Sequence, residues 1–332
     1  MVLKNLSDLL LEWYFENGRD LPWRIKGGAH PNPYVILVSE FMLQQTTVKT
    51  VIPYFHRFMI RFPTIFDLAK ASEEEIYHLW QGLGYYSRAR SLLACAQMIA
   101  YQFDGKFPDN RTDVLKLKGI GPYTVASFLA LAFNQPETVI DGNVKRIIAR
   151  LYHLTQPLDE IDEEIRLKAE NLTSSRAPAD YASAIMDLGA TICTPKKPKC
   201  ALCPWKTVCL SCNQPDAEQI PARKRLEKKE KDGCVYLIYN SKGEVLIRKR
   251  IEKGLLTGLY EFPWNDKSVP WAEATSTEKY VTHIFTHIRL TLAVYTLHTD
   301  TSPIADGFFI NPAELSNYAL STLMKKVWMV GK

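Results

Sequence analysis

The chain has 332 residues, 46% of them hydrophobic and 23% charged, with 41 Lys and Arg against 36 Asp and Glu. That length points to two domains with real cores, while a net charge of +5 favours a nucleic-acid partner only slightly over an ordinary soluble surface. No apolar stretch is long and clean enough to span a bilayer, and acids interrupt the short N-terminal leucine run, so the expectation is a soluble, cytoplasmic chain with no signal peptide and no membrane partner.

Along the chain, Leu6, Leu9, Leu10, Trp13 and Tyr14 fall on one helix face, and Gly18 can end that helix. Similar spacing predicts helices around residues 34–49, 72–81, 87–101 and 122–133. In the first of these, Leu37, Glu40, Gln44 and Thr47 share one face. Glu40 stands alone among Val, Leu, Phe and Met. Burying it ionised is costly, so its pKa should rise, which suits a general acid. Taken alone, a surface glutamate on an amphipathic helix is the reading to prefer.

LKGIGPYTVASFLA, residues 117–130, holds a second signal. Leu117 and Ile120 can anchor a turn in which Gly119 and Gly121 let backbone amides approach a ligand, and Pro122 starts the next helix. Amides at a helix start bind phosphate, so this predicts a helix–hairpin–helix that grips a DNA backbone without reading sequence. A tight turn with glycines for steric reasons weighs equally until the cysteines downstream are considered. In TVIDGNVKR an apolar run delivers Asp141 to another helix start, flanked by Gly142 and Asn143. An N-cap is the usual role for such an aspartate. The alternative is a carboxylate aimed into the groove beside the phosphate grip, which gives Glu40 a partner.

Cys193, Cys200, Cys203 and Cys209 are separated by six, two and five residues. Four thiolates this close suit one metal centre, either a [4Fe–4S] cluster or a tetrahedral zinc. Disulfides fit poorly with seven cysteines and no secretory segment. Lys196, Lys197 and Lys199 lie in the first gap, so the centre also presents a basic loop. Residues 214–231 are charged, hold two prolines and read as a linker, either touching DNA or simply solvated. Beyond it GCVYLIY, EVLIRKR, KYVTHIF and RLTLAVYTL read as strands. NPAELSNYAL opens a helix, with Asn311 as cap, Pro312 in the first turn and Glu314 in capping-box position. The chain shows no internal repeat.

Taken with these motifs, RDLPWR (19–24), SEFMLQQT (39–46), GLGYYSRAR (82–90), VIDGNV (139–144), MDLGATICT (186–194), GLLTGLYEFP (254–263) and THIFTH (282–287) make the chain resemble the MutY-type adenine DNA glycosylases. That family belongs to the helix–hairpin–helix superfamily that includes endonuclease III, and the likeness runs from about residue 5 to the C-terminus. The resemblance implies a multidomain fold: an all-α helix–hairpin–helix glycosylase domain with an iron–sulfur loop (1–213), a linker (214–231) and an α+β Nudix-like domain that recognises 8-oxoguanine (232–332). It implies one [4Fe–4S] cluster rather than zinc on the four cysteines. It also implies a monomer acting on double-stranded DNA with A:8-oxoguanine or A:G mispairs, in base excision repair.

By the same resemblance Glu40 protonates adenine N7, and Asp141 stabilises the oxocarbenium ion or traps C1′, a division of labour like that of glycosidases. Tyr123 and Asn143 assist at the sugar and the carboxylates. Arg19, Leu21, Trp23 and Arg24 border the adenine pocket. Gln45 and Tyr85 fill or wedge the stack after the base flips out. Gln44, Thr46, Gly119, Gly121 and Lys145 join the DNA surface, and Phe285, Thr286 and His287 form the loop that reads 8-oxoguanine. The scattered acids Glu244, Glu252, Glu261, Glu273 and Glu278 lack the clustered pattern of a pyrophosphate hydrolase.

Two departures from the family stand out: YASA (181–184) puts Ser183 where a longer polar side chain is usual, and IKGGAHPN lengthens the loop after Arg24. Tyr123 occupies the place where bifunctional relatives carry a Schiff-base lysine, so base removal without strand cleavage is expected. Two other readings use the same scaffold. Glu40 argues against a glycosylase for thymine or an oxidised pyrimidine. The pair Glu40 and Asp141 argues against a non-enzymatic DNA-binding or redox-sensing protein.

Overall fold

A computed structural model of the chain describes residues 5–27, 31–222, 228–265 and 271–332. It divides into two compact units, Met1–Ala69 with Ala94–Lys224, and Lys70–Leu93 with Arg225–Lys332. Among the described residues no helix is long and apolar enough to cross a membrane.

In chain order the helices are α1 (Leu6–Asn17), α2 (Pro33–Leu43), α3 (Val48–Arg61), α4 (Ile65–Ala69), α5 (Glu73–Trp80), α6 (Ser87–Gln102), α7 (Arg111–Lys116), α8 (Pro122–Phe133), α9 (Gly142–Leu151), α10 (Asp162–Leu172) and α11 (Pro178–Thr191). α5 and the start of α6 belong to the second unit. In the first unit Leu10, Leu11 and Tyr14 of α1 meet Val144, Ile147 and Ile148 of α9 and Ala184, Ile185 and Leu188 of α11 in one apolar core. The leucine spacing of α1 therefore faces a core, and Gly18 closes the helix by donating its N–H to Tyr14 O at 2.7 Å.

One expected helix is two. The helix expected over residues 34–49 is broken by the polar run Gln44–Thr47: α2 stops at Leu43 and α3 starts at Val48. Gln45 turns the chain with φ of 57°. Thr47 caps α3 and does not extend the face of Leu37 and Glu40. The expected loop 25–32 includes residues 28–30, which lie outside the described residues.

Of the proposed linker, residues 223–227 also lie outside the described residues. Before them Ile220 is buried in the helical core, and after them a strand begins at Lys229. The second unit holds a sheet of β1 (Lys229–Tyr239), β2 (Val245–Lys249), β3 (Tyr260–Glu261), β4 (Trp264–Asn265), β5 (Thr275–Ile284), β6 (Ile288–His298) and β7 (Gly307–Ile310). The order is β3-β2-β1-β6-β5, with β4 on β1 and β7 on β2. β1 and β6 run parallel, from Lys229 opposite Ile288 to Tyr239 opposite His298, while β5 returns antiparallel to β6.

β1 explains its own composition. Val235 and Leu237 enter one core with Leu323, Met324 and Val327, and Cys234, Tyr236 and Ile238 enter another on the opposite face. A strand covered on both sides reads as a continuous apolar run. The segment 311–320 departs from expectation. Asn311 caps it by accepting from Ala313 N at 3.0 Å, but the element is a 3-10 helix, Pro312–Asn317. The α-helix proper, α12 (Thr322–Gly331), starts under Ser321 instead.

Candidate active site

α2 is apolar on nearly every side, and Tyr34 through Met42 are all buried apart from Val35. Glu40 is carried inside with them, 5% exposed. Burial raises its carboxyl from 4.5 to about 7, opposed by Ser127 and Arg24 and reinforced by Asp141. Desolvation thus keeps a substantial share of the acid protonated near neutrality, where an ordinary glutamate is fully ionised.

Asp141 meets the opposite treatment. It caps α9, with Oδ1 accepting from Val144 N at 2.7 Å and Oδ2 from Asn143 Nδ2 at 2.8 Å. Two donors fix the carboxylate in place. The cap expected from sequence is formed, and the capping residue also lines the cavity that holds Glu40. Asn143 is oriented in turn: its Oδ1 accepts from Arg146 Nη2 at 2.9 Å. Arg146 is buried and spends its other donors on Gly189 O at 2.8 Å and Cys193 O at 2.9 Å. Only glycine fits at 189, since a Cβ there would stand 2.7 Å from that of Asn143.

The cavity has a volume of about 1010 Å³. Glu40, Asp141, Tyr123 and Asn143 share it with Arg19, Leu21, Trp23, Arg24, Gln44, Gln45, Thr46, Gly119 and Gly121. Tyr123 points its hydroxyl at Met186 Sδ, 3.7 Å away, and burial, then Glu40 and Asp141, push its phenol well above the ordinary value. Gln44 Nε2 donates to Thr124 Oγ1 at 3.4 Å. In the hairpin Leu117 and Ile120 are buried as anchors, and Gly119 takes a φ of 80°.

Lys145 is not brought into that cavity. It lines a neighbouring one of about 850 Å³, paired with Asp162. Ser183 is buried, with its hydroxyl against the Tyr14 phenol.

Asp187 was not singled out from sequence. It is fully buried and accepts from Arg19 N and Nε at 2.8 Å each, from Arg19 Nη2 at 2.6 Å and from Arg24 Nη1 at 2.8 Å. Burial pushes its carboxyl up, but Arg24 and Arg19 outweigh that and hold it below the ordinary value. The helix face it shares with the equally buried Asp180, two turns earlier, is otherwise largely apolar, which is a local sign of burial but not of its partners.

Cys193, Cys200, Cys203 and Cys209 line one small cavity of about 30 Å³, with Cys212 also on its wall. Among the described residues no three Asp, Glu, His or Cys side chains meet closely enough to ligate a single metal ion. A cubane cluster makes a different demand, because each thiolate binds its own iron at one corner. Four thiols around a shared cavity fit that demand. Arg150 braces the loop, with Nη1 on Thr194 O at 2.6 Å and Nη2 on Pro195 O at 3.0 Å, and leaves Lys196, Lys197 and Lys199 exposed.

In the second unit Phe285, Thr286 and His287 form the turn between β5 and β6, closed by Phe285 N on Ile288 O at 2.8 Å. Thr286 Oγ1 lies 2.7 Å from the hydroxyl of Tyr85. Glu261 is buried and paired with Arg248 at 2.9 Å and Arg250 at 3.3 Å. It also accepts from Trp264 Nε1 at 2.6 Å.

Comparison with known proteins agrees with this geometry. Residues 38–172 match the HhH-GPD superfamily of base excision DNA repair proteins, and residues 234–329 match the NUDIX domain. An adenine DNA glycosylase of Buchnera aphidicola is 36% identical over 77% of this chain and 73% of its own length. An adenine DNA glycosylase of Mus musculus is 32% identical over 96% of this chain and 76% of its own. Among solved structures, a thermostable thymine-DNA glycosylase superposes with a TM-score of 0.55 at 30% identity, covering 62% of this chain and 94% of that one. The chain belongs to the adenine DNA glycosylase family, with an HhH-GPD domain followed by a NUDIX domain.

Proposed function

We propose that the protein removes adenine mispaired with 8-oxoguanine or guanine in duplex DNA and leaves an abasic site. Glu40 and Asp141 carry this reading: they share one cavity but sit in opposite environments, one buried towards neutrality and one pinned by two donors. Two carboxyl groups held in different surroundings within one cavity can divide acid from nucleophile work. Glu40 gives its proton to N7 of the flipped adenine, so the base leaves neutral. Asp141 supports the positive charge that develops at C1′ until water adds there, or bonds to C1′ as the base leaves and is then displaced by water, which leaves the abasic sugar. Tyr123 and Asn143 hold the sugar and the Asp141 carboxylate. Arg19 and Arg24, fixed by Asp187, border the base together with Leu21 and Trp23.

The DNA backbone lies on Gly119 and Gly121, with Gln44, Gln45, Thr46 and Lys145 along the surface. A Cβ at Gly121 would meet nothing within 4 Å, which leaves the hairpin open to a phosphate. Cys193, Cys200, Cys203 and Cys209 hold one [4Fe–4S] cluster. When bound, it cross-links the loop that presents the lysines and supplies no acid or base to adenine. Phe285, Thr286 and His287 read the oxidised base, and Tyr85 wedges the stack. In functional terms residues 1–213 remove the base, 214–231 connect, and 232–332 recognise the lesion.

The likeness to a thymine-DNA glycosylase raises a second substrate. Glu40 speaks against it, since a pyrimidine has no N7 to protonate. The test is incubation with duplexes carrying A opposite 8-oxoguanine, G, C or T, followed by alkali. Alkali-labile sites at A opposite 8-oxoguanine and G, in strands intact before alkali, are expected. Release of thymine, or prompt strand cleavage, would refute the proposal.

A further inference from the structure

We infer that Gln81 is a positioning residue for lesion recognition, clipping the turn that carries Tyr85 so that Tyr85 and Thr286 act as one reading element. This rests on the roles given to those two residues above. All the contacts involved lie within the second unit.

Gln81 follows the last residue of α5. Its Nε2 donates to Tyr318 O at 3.1 Å, and its Oε1 accepts from Lys325 Nζ, on α12, at 2.6 Å. The next residues form an unusual turn: Gly82, Gly84 and Tyr85 take φ values of 102°, 70° and 49°. A tyrosine in the left-handed region is strained and persists only where its surroundings dictate it. Here the carbonyls are held from inside. Trp80 Nε1 donates to Gly84 O at 3.2 Å, and Arg88 Nη2 donates to Leu83 O and Gly84 O at 3.0 Å each.

The outcome is an exposed ring, 46% accessible, whose hydroxyl reaches Thr286 across 201 residues of sequence. A threonine hydroxyl has one proton and two lone pairs. Engaging one of these with Tyr85 fixes what remains for the N7–H and O8 edge of the oxidised base. Guanine offers no N7–H, so discrimination depends on that orientation, and Gln81 anchors the base of the turn to the segment and helix beyond Tyr318.

The test uses the full chain and the variants Gln81→Ala, Lys325→Ala and the double substitution. Ile76, Tyr77 and Trp80 keep α5 buried, so these variants should fold. Each single change should reduce the preference for A opposite 8-oxoguanine over A opposite guanine about fivefold, the order of one modest hydrogen bond. The double variant should lose little more than Gln81→Ala alone, since Lys325 acts through Gln81. Excision at saturating A:G duplex should stay within about twofold of the parent if positioning is all that is lost. Amides of residues 82–86 should exchange faster in free Gln81→Ala. Parental preference with parental exchange, additive losses in the double variant, or equal loss on both duplexes would each overturn the inference. If the parent itself shows no preference, the lesion reading fails, and exchange at 82–86 alone then decides whether Gln81 is a clip.

Discussion

Replacing Glu40 by Gln should abolish base removal and at the same time make the protein more stable. Glu40 is 5% exposed, and its carboxyl rises from 4.5 to about 7 on folding. At ~1.4 kcal/mol per pKa unit, keeping it ionised costs roughly 3 kcal/mol of folding stability. The sign follows from the raised value: stability is full below 4.5 and is lost as pH climbs through about 7. An amide carries no charge to desolvate, so the gain should be complete at about pH 8 and vanish near pH 4.5. The first unit has about 200 residues, for which each kcal/mol moves Tm by ~2–4 °C. A rise of roughly 6–12 °C at the higher pH is therefore expected by thermal unfolding. Single-turnover excision by the parent should fall as pH passes about 7, when the proton donor is lost. Equal melting of parent and variant at both pH values, or a variant excising within a few fold of the parent, would refute the reasoning.

Asp141→Asn should keep DNA affinity but lose about 10²-fold or more in excision, because only the transition state carries charge at C1′; a binding titration and single-turnover kinetics check both halves. Asp187→Ala leaves Arg19 and Arg24 without their buried partner and should cost about 3–5 kcal/mol by denaturant unfolding, with Asp187→Asn intermediate. Purified protein should be yellow-brown with about four irons per chain by elemental analysis. Cys200→Ser should lower both iron and DNA affinity, and one zinc without iron would refute the assignment.

Glu40 was legible only beside Asp141: its apolar run is a local oddity, but alone it favoured a surface position, and the fold buries it instead. Asp141 was legible as a choice between cap and carboxylate, and the fold forms the cap on the wall of the cavity that holds Glu40. The break at Gln44–Thr47 was marked only by four consecutive polar residues, and Gln45 supplies a left-handed turn without glycine or asparagine. Asp187 pairs with arginines 163 and 168 residues away, a distance no local pattern encodes. The same holds for α5, which follows the first unit's helices in sequence yet belongs with the sheet.

A reaction run by carboxyl groups has no evident need for a cysteine loop, and α9 shows what connects them. Its N-terminus presents Asp141, and Arg146 and Arg150, one turn apart, are both buried. A buried guanidinium must find acceptors for its donors or destabilise the fold. Arg146 finds them in Asn143, Gly189 and Cys193, and Arg150 in Thr194, Pro195 and Ile220. Most of these acceptors are backbone carbonyls in irregular chain, which no helix or strand ladder fixes in place. The proposed cluster, by tying the cysteines of that chain together, would fix them instead. Each constraint on the loop then passes through two arginines into α9, and through Asn143 to Oδ2 of Asp141. On that proposal the carboxylate's aim depends on the loop, although no cysteine needs to touch the substrate.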